Sequence, residues 1–237
     1  MEQAKSQVRL AQMEIAANHL PRAAELLTSA TALAPEWLVP REWLALVYQR
    51  QSNKDQALAQ YAWLQRKTLD FDLAGRCNPA GCADLVLSSE ALTLWLVNDQ
   101  RQQAGLPVLR VDPELSVVAR GHSLEMAARN YFSHISRTQN LAEPMDRFKQ
   151  AFCFLPNLLA ENIARRWGSQ PCLTLENIAA THVDFMNSPG HRDNILRPGV
   201  DVLGVGVATD PRGAYWVTEE FAHWEPTAPA DTSWNSR

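Results

Sequence analysis

The stretch Val202 to Phe221, VLGVGVATDPRGAYWVTEEF, decides the fold. Two runs rich in β-branched and aromatic residues, Val202–Ala208 and Ala214–Phe221, flank Asp210-Pro211-Arg212-Gly213. Proline second and glycine fourth mark a tight turn, so the pair is predicted to form a hairpin. A third run, Glu161–Arg165, has the same character and predicts another strand. Helices are predicted around these strands. Thr174 to Asn187 is one, from the apolar spacing of Leu175, Ile178, Ala179, His182 and Phe185. Asp112-Pro113-Glu114 opens another, running to about Arg129, with an acidic N-cap, proline at the first position and an acid in the first turn. Ser88 or Ser89 is expected to cap a helix through Ala104, with Leu92, Trp95 and Leu96 as its apolar stripe and Gly105 as its stop. Strands and helices together give an α+β fold.

Upstream of the strands the chain repeats itself. Leu10 and Leu44, Ala11 and Ala45, Ala23 and Ala57, and Leu27 and Tyr61 are each 34 residues apart. That is the length of a tetratricopeptide repeat, and Leu10-Ala11, Ala23, Leu27, Ala30 and Pro35, then Leu44-Ala45, Tyr48, Ala57 and Tyr61, resemble the small and large positions of that family. Small residues let the two helices of each unit cross closely. Turns are expected at Asn18-His19 and Ser52-Asn53. Leu69 stands where a closing proline is usual, and Glu14 where an aromatic is. Two repeats are fewer than the three or so of a free-standing array, so they should pack on the rest of the chain or on a partner. The expected organisation is helical repeats at 1–69, a linker at 70–88, a second domain at 89–225 and a tail at 226–237.

Composition bounds the function. The 237 residues carry 22 basic and 26 acidic side chains, a formal charge of -4, and are 46% hydrophobic. This is ordinary globular composition, and no basic excess exists to neutralise nucleic-acid phosphates. The longest apolar run, Ala91–Val97, is far shorter than the ~20 residues of a membrane span. Cys77 and Cys82 flank the turn-forming Asn78-Pro79-Ala80-Gly81, which favours a Cys77–Cys82 disulfide and leaves Cys153–Cys172 as the second pair. Free buried thiols and a cysteine metal site are the alternatives. Disulfides imply an oxidising compartment, hence a secreted or periplasmic location. The N-terminal residues Met1-Glu2-Gln3-Ala4-Lys5 contain no apolar core of a signal peptide.

A series of motifs in the second domain carries a resemblance. Asn98 and Arg101 are followed by Gly105-Leu106-Pro107, Leu109, Asp112-Pro113, Leu115, Ala119, His122-Ser123, Met126-Ala127 and Phe132-Ser133-His134. Then come Ala160-Glu161-Asn162-Ile163, Asn187-Ser188-Pro189-Gly190-His191-Arg192, Asn194-Ile195-Leu196 and Gly204-Val205-Gly206-Val207. Over Ser89–Trp224 this order resembles the CAP superfamily of cysteine-rich secretory, antigen 5 and pathogenesis-related proteins, in its bacterial branch. The resemblance implies an α-β-α sandwich with a cleft formed by His134, Glu161 and His191. His191 is expected in a Pro-Gly-His-Arg turn. His122, Asn162 and Asn194 are further candidates, with backbone fixing as the bland alternative for the two asparagines. His182 and His223 are expected to be structural or exposed. The second glutamate common in the family is absent from Phe185-Met186-Asn187-Ser188, and Ala160 replaces the glycine before Glu161.

Two imidazoles and a carboxylate can hold a divalent ion such as zinc at an open site, or move a proton near neutral pH. His134 and His191 are the candidate metal ligands, and Glu161 and His191 the candidate catalytic groups. No glycine-flanked nucleophilic serine, phosphate loop, zincin helix or dinucleotide fingerprint is present, so the balance lies against an enzyme. Two classes of function remain. One is an extracytoplasmic binding module whose cleft takes a small apolar, lipid-like or glycan ligand or a protein, while the repeats dock a second protein. The other is a metal-dependent hydrolase acting through the same cleft.

Overall fold

The computed structural model describes residues 1–71, 83–168 and 173–224. Four helices come first: α1 (Glu2–Ala16), α2 (Leu20–Leu33), α3 (Leu38–Arg50) and α4 (Lys54–Phe71). Asn18 and Ser52 both adopt left-handed backbone at φ 61° and 55°, so the two turns recur at the spacing seen in the sequence. Ala11, Ala23, Ala45 and Ala57 are buried without exposed surface where the helices cross. Connections of three residues make each pair a helical hairpin.

Beyond residue 82 follow α5 (Ala83–Gln103), β1 (Arg110–Val111), α6 (Pro113–Ala128), α7 (Pro144–Phe152), β2 (Leu158–Arg166), α8 (Leu175–Asn187), α9 (Pro189–Ile195), β3 (Val202–Thr209) and β4 (Tyr215–His223). The strands lie in the order β1-β3-β4-β2, with β1 parallel to β3 and the other pairs antiparallel. The hairpin is closed by Gly213 N–H donating to the Asp210 carbonyl, with Gly213 at φ 86°. Strand β2 runs longer than the expected Glu161–Arg165, because its pairing with β4 continues out to Leu158 opposite His223.

One face of the sheet packs on α5 and α8 through Leu203, Val205, Val207 and Val217. The opposite face meets α6, where β3 comes so close that a Cβ on Gly206 would lie 2.0 Å from the Arg120 backbone nitrogen. These are the layers of an α-β-α sandwich. Helix α6 starts as expected, the Asp112 carboxylate accepting from Leu115 N–H at 2.9 Å. Helix α8 starts with Thr174 accepting from Asn177 N–H at 3.1 Å.

The helical segment docks on this sandwich. Helix α3 reaches β1, and α4 packs on α5 and α6, covering the β1 end of the sheet. Tyr61 and Leu64 of α4 share the main core with Leu94 and Trp95 of α5. A buried polar network crosses the same boundary. Arg120 of α6 donates from Nε and Nη2 to the Glu90 carboxylate at 2.8 and 2.6 Å, and to Thr68 and Gln65 of α4 at 2.9 and 3.0 Å. Glu90 also accepts from Val207 N–H of β3. The helical hairpins therefore pack on the rest of the chain.

Three expectations need correction. Helix α5 begins at Ala83, inside the expected linker, and Ser88 lies within it with its hydroxyl turned back on the Asp84 carbonyl at 2.8 Å. Burial of Val86 and Leu87 carries the helix upstream of both serines. His191 lies in a short helix, α9, because Pro189 takes the first helical position and Ser188 the N-cap. Cys153 has a free, exposed thiol at the left-handed C-cap of α7, in place of the expected Cys153–Cys172 disulfide. Cys77, Cys82 and Cys172 lie outside the described residues, as does the tail after Trp224.

Candidate functional site

The site forms where the loop after α6 crosses the start of β2. His134 Nδ1–H donates to Glu161 Oε1 at 2.7 Å, and the other oxygen, Oε2, accepts from Arg147 Nη2. The Glu161 side chain is 2% exposed, whereas the imidazole of His134 is 49% exposed. A buried carboxylate thus holds a half-exposed imidazole by its Nδ1, and no hydrogen bond among the described residues engages Nε2. Phe132 and Ile135, on either side of His134 in sequence, are large exposed apolar residues.

Arg147 comes from α7. That helix starts with Glu143 and Asp146 in a reciprocal capping box and with Pro144 at its first position. Nη1 of Arg147 also donates to the carbonyls of His134 and Ala142, both at 3.2 Å, so one guanidinium fixes both the carboxylate and the loop above it. The loop has a second anchor in Glu125 of α6, which accepts from Ser136 and Thr138 hydroxyls at 2.5 and 2.9 Å. A third anchor is His122, whose Nε2–H donates to the Ser133 carbonyl at 3.0 Å.

Electrostatics follow from this packing. Burial acts to raise the Glu161 carboxyl, but the His134 hydrogen bond and the Arg147 charge outweigh it and hold the group below the usual carboxylate range. Glu220, directly opposite on β4, also feels the Arg147 charge but has no His134 hydrogen bond. Burial first, and then the Glu161 charge, push it well above that range. Burial lowers His122, which is neutral at pH 7. Partial burial and the neighbouring His134 charge lower His191.

The structure sorts the candidates. His134 and Glu161 touch directly, and His191 is close enough to sense the charge of His134, its ring packed edge-on against Phe185 at 4.9 Å. His122 is buried beneath the loop and supports it. Asn162 and Asn194 bind backbone and each other. Asn162 Nδ2 donates to the His191 carbonyl at 3.1 Å and to Glu219 at 3.0 Å. Asn194 Nδ2 donates to Asn162 Oδ1 at 2.9 Å and to the Glu161 carbonyl at 3.3 Å. The pair ties α9 to β2, and Asn162 has no exposed surface. His182 is buried between α8 and the sheet, and burial drives it down to about 4.

A metal ion held by Glu161 does not fit this geometry. Both Glu161 oxygens are engaged, and the cation beside them is the Arg147 guanidinium. Among the described residues no group of three or more His, Cys, Asp or Glu side chains is placed to hold a metal ion. A zinc ion at Glu161 would have to displace Arg147 and leave a buried guanidinium unpaired.

Sequence inspection missed Arg147, Glu220 and Glu125. For Arg147 a signal existed. Glu143-Pro144-Met145-Asp146 is the same kind of helix start as Asp112-Pro113-Glu114, and it places Arg147 in the first turn.

The family model for cysteine-rich secretory proteins, CAP, matches residues 94–221. The chain is 37% identical over 136 residues to the uncharacterized protein YkwD of Bacillus subtilis, covering 57% of this chain and 48% of that protein. It is 29% identical over 186 residues to the uncharacterized membrane protein YlbC of the same organism, covering 76% of this chain and 44% of that protein. The chain thus spans about half the length of these curated relatives. An extracellular SCP-domain protein from Bacillus anthracis superposes with a TM-score of 0.52 at 31% identity, over 63% of this chain and 45% of that one. An outer surface protein of Borrelia burgdorferi shares the fold, with a TM-score of 0.50 at 16% identity, over 58% of this chain and 93% of that one.

Proposed function

Because the chain belongs to the CAP family of cysteine-rich secretory proteins, we propose that it is an extracytoplasmic binding protein. Its cleft takes a small apolar, lipid-like or glycan ligand, or a protein segment, at His134, and its tetratricopeptide-like repeats dock a second protein. The observation that carries this is the commitment of Glu161. Both carboxylate oxygens are used to hold His134 and Arg147, so the acid serves geometry, and the exposed group is an imidazole in a loop that also exposes Phe132 and Ile135. An imidazole edge offers one hydrogen bond, and the apolar side chains offer area, which is the usual composition of a small-molecule site. The likeness to an extracellular SCP-domain protein of Bacillus anthracis supports a location outside the cytoplasm. No helix among the described residues is long and apolar enough to cross a membrane.

The same pair favours a second class of function. Glu161 holds the Nδ1–H tautomer of His134, which leaves an Nε2 lone pair for general-base work without a metal. Mass spectrometry of solvent extracts from the purified full chain separates the two. The binding function expects a ligand that is retained by the wild type and lost from His134→Ala. Retention by the variant overturns the role of His134. Ester or peptide turnover abolished by Glu161→Gln replaces the binding module with an enzyme.

A further inference from the structure

The two helical hairpins match in register at a spacing of 34 residues, and the match exposes an empty seat. In α3, Pro40, Leu44 and Val47 are buried, Leu44 at 3% exposure and Val47 at 0%, and α2 is the helix that packs on them. Shifted back by the repeat spacing, these positions are Ser6, Leu10 and Met13 of α1. All three are exposed, Leu10 at 46% and Met13 at 69%. The opposite face of α1 is ordinary: Ala4, Val8, Ala11 and Ile15 are buried against α2. Thus α1 carries the apolar residues of an internal repeat on a face that nothing among the described residues covers.

Stacked helical arrays bury a continuous core, and a terminal helix that ends one presents a polar outer face. The far end of this array is closed, since α4 packs on α5 and α6. The α1 end carries leucine and methionine instead of a polar cap. What belongs there is set by what covers the equivalent face one repeat later: α2, an amphipathic helix whose buried side is Ala23, Leu26, Leu27 and Ala30.

We infer that Leu10 and Met13 of α1 form a docking seat for an amphipathic helix of a partner protein, one with a leucine–alanine face like that of α2. This deepens the docking half of the proposed function and is independent of the cleft.

The test uses the full chain with methyl-labelled methionine and a synthetic peptide of residues 19–34, the segment that fills the equivalent seat. A scrambled peptide is the control. Saturable movement of the Met13 methyl signal, with Met126 and Met186 unmoved, is expected. A variant with Leu10→Lys and Met13→Lys should weaken binding at least tenfold, read on the Ala17 and Asn18 amides. Its unchanged Met126 and Met186 signals show that it is folded. No response at Met13 overturns the seat. If the peptide binds elsewhere on α1–α4, the docking role survives and this seat does not. A concentration-dependent dimer of the peptide-free chain that the double variant splits also overturns it, because a second copy is then the occupant.

Discussion

Replacing Glu161 by glutamine keeps the shape of the side chain and removes its charge. In the wild type the carboxylate receives one charge-assisted hydrogen bond from Arg147 and another hydrogen bond from His134. The Arg147 side chain is 7% exposed and the Glu161 side chain 2%, so the ion pair between them is not screened by solvent. Removing one partner of a buried ion pair leaves the other charge uncompensated, which costs about 3–5 kcal/mol. The lower end is expected here, because Glu220 lies opposite Glu161. Freed of that neighbouring charge, Glu220 can ionise and partly replace it beside Arg147. For a chain of this size each kcal/mol moves Tm by roughly 2–4 °C, so Glu161→Gln should melt roughly 6–12 °C below wild type by circular dichroism at pH 7. Adding Glu220→Gln removes the reserve and should lower Tm further, although Glu220→Gln alone changes little. Adding Arg147→Met instead should restore part of the loss, since no unpaired charge then remains. A Glu161→Gln variant within 1–2 °C of wild type, or additive losses in the Glu161→Gln and Arg147→Met pair, would refute the clamp.

Further outcomes follow from the packing. Gly206→Ala puts a methyl group 2.0 Å from the Arg120 backbone nitrogen, so it should cost about 3 kcal/mol or more through displacement of α6 from β3, read as a lowered urea midpoint. Arg120→Met leaves Glu90 buried without its cation and should cost about 3–5 kcal/mol, with faster proteolysis in α4 as a second readout. Burial, opposed only by the Asn162 hydrogen bond, raises Glu219 to about 8. Its raised pKa gives stability that is complete below the unfolded-state value near 4.5 and lost as pH rises towards 8. Glu219→Gln should therefore flatten the decline of stability over that window by about one proton. His182 has the opposite sign: lowered to about 4 by burial, it gives stability that is present above the unfolded value near 6.5 and lost as pH falls to 4. His182→Leu should flatten that acid limb, measured by urea melts at stepped pH.

Local chemistry explains what the sequence made legible. Asp112-Pro113 and Asp210–Gly213 are cap and turn signals whose partners lie within four residues, and each forms as expected. The repeat spacing was legible because close helix crossings need small residues at fixed distance, as at Ala11, Ala23, Ala45 and Ala57. The pairing of His134 with Glu161 came only through the family resemblance, since 27 residues separate them. Glu219 and Glu220 were harder. A strand with one wet face buries alternate residues, but β4 is an inner strand covered on both sides, so adjacent glutamates are buried on opposite faces. Arg147, Arg120 and Glu90 look like surface charges in the sequence, and only tertiary packing makes them buried pairs. The start of α5 was misplaced because serine is a good N-cap in isolation, whereas here Val86 and Leu87 extend the helix by being buried.

Long-range proton–nitrogen NMR of the histidine rings, recorded before and after one equivalent of zinc, tests most directly whether the cleft is an Arg147-clamped binding site. His134 is expected as the Nδ1–H tautomer with a bare Nε2, and neither it nor His191 should respond to zinc. A proton on Nε2 with a bare Nδ1, or zinc bound at Nδ1, would contradict the clamp, and joint displacement of the His134 and His191 nitrogen signals by zinc would make the cleft a metal centre.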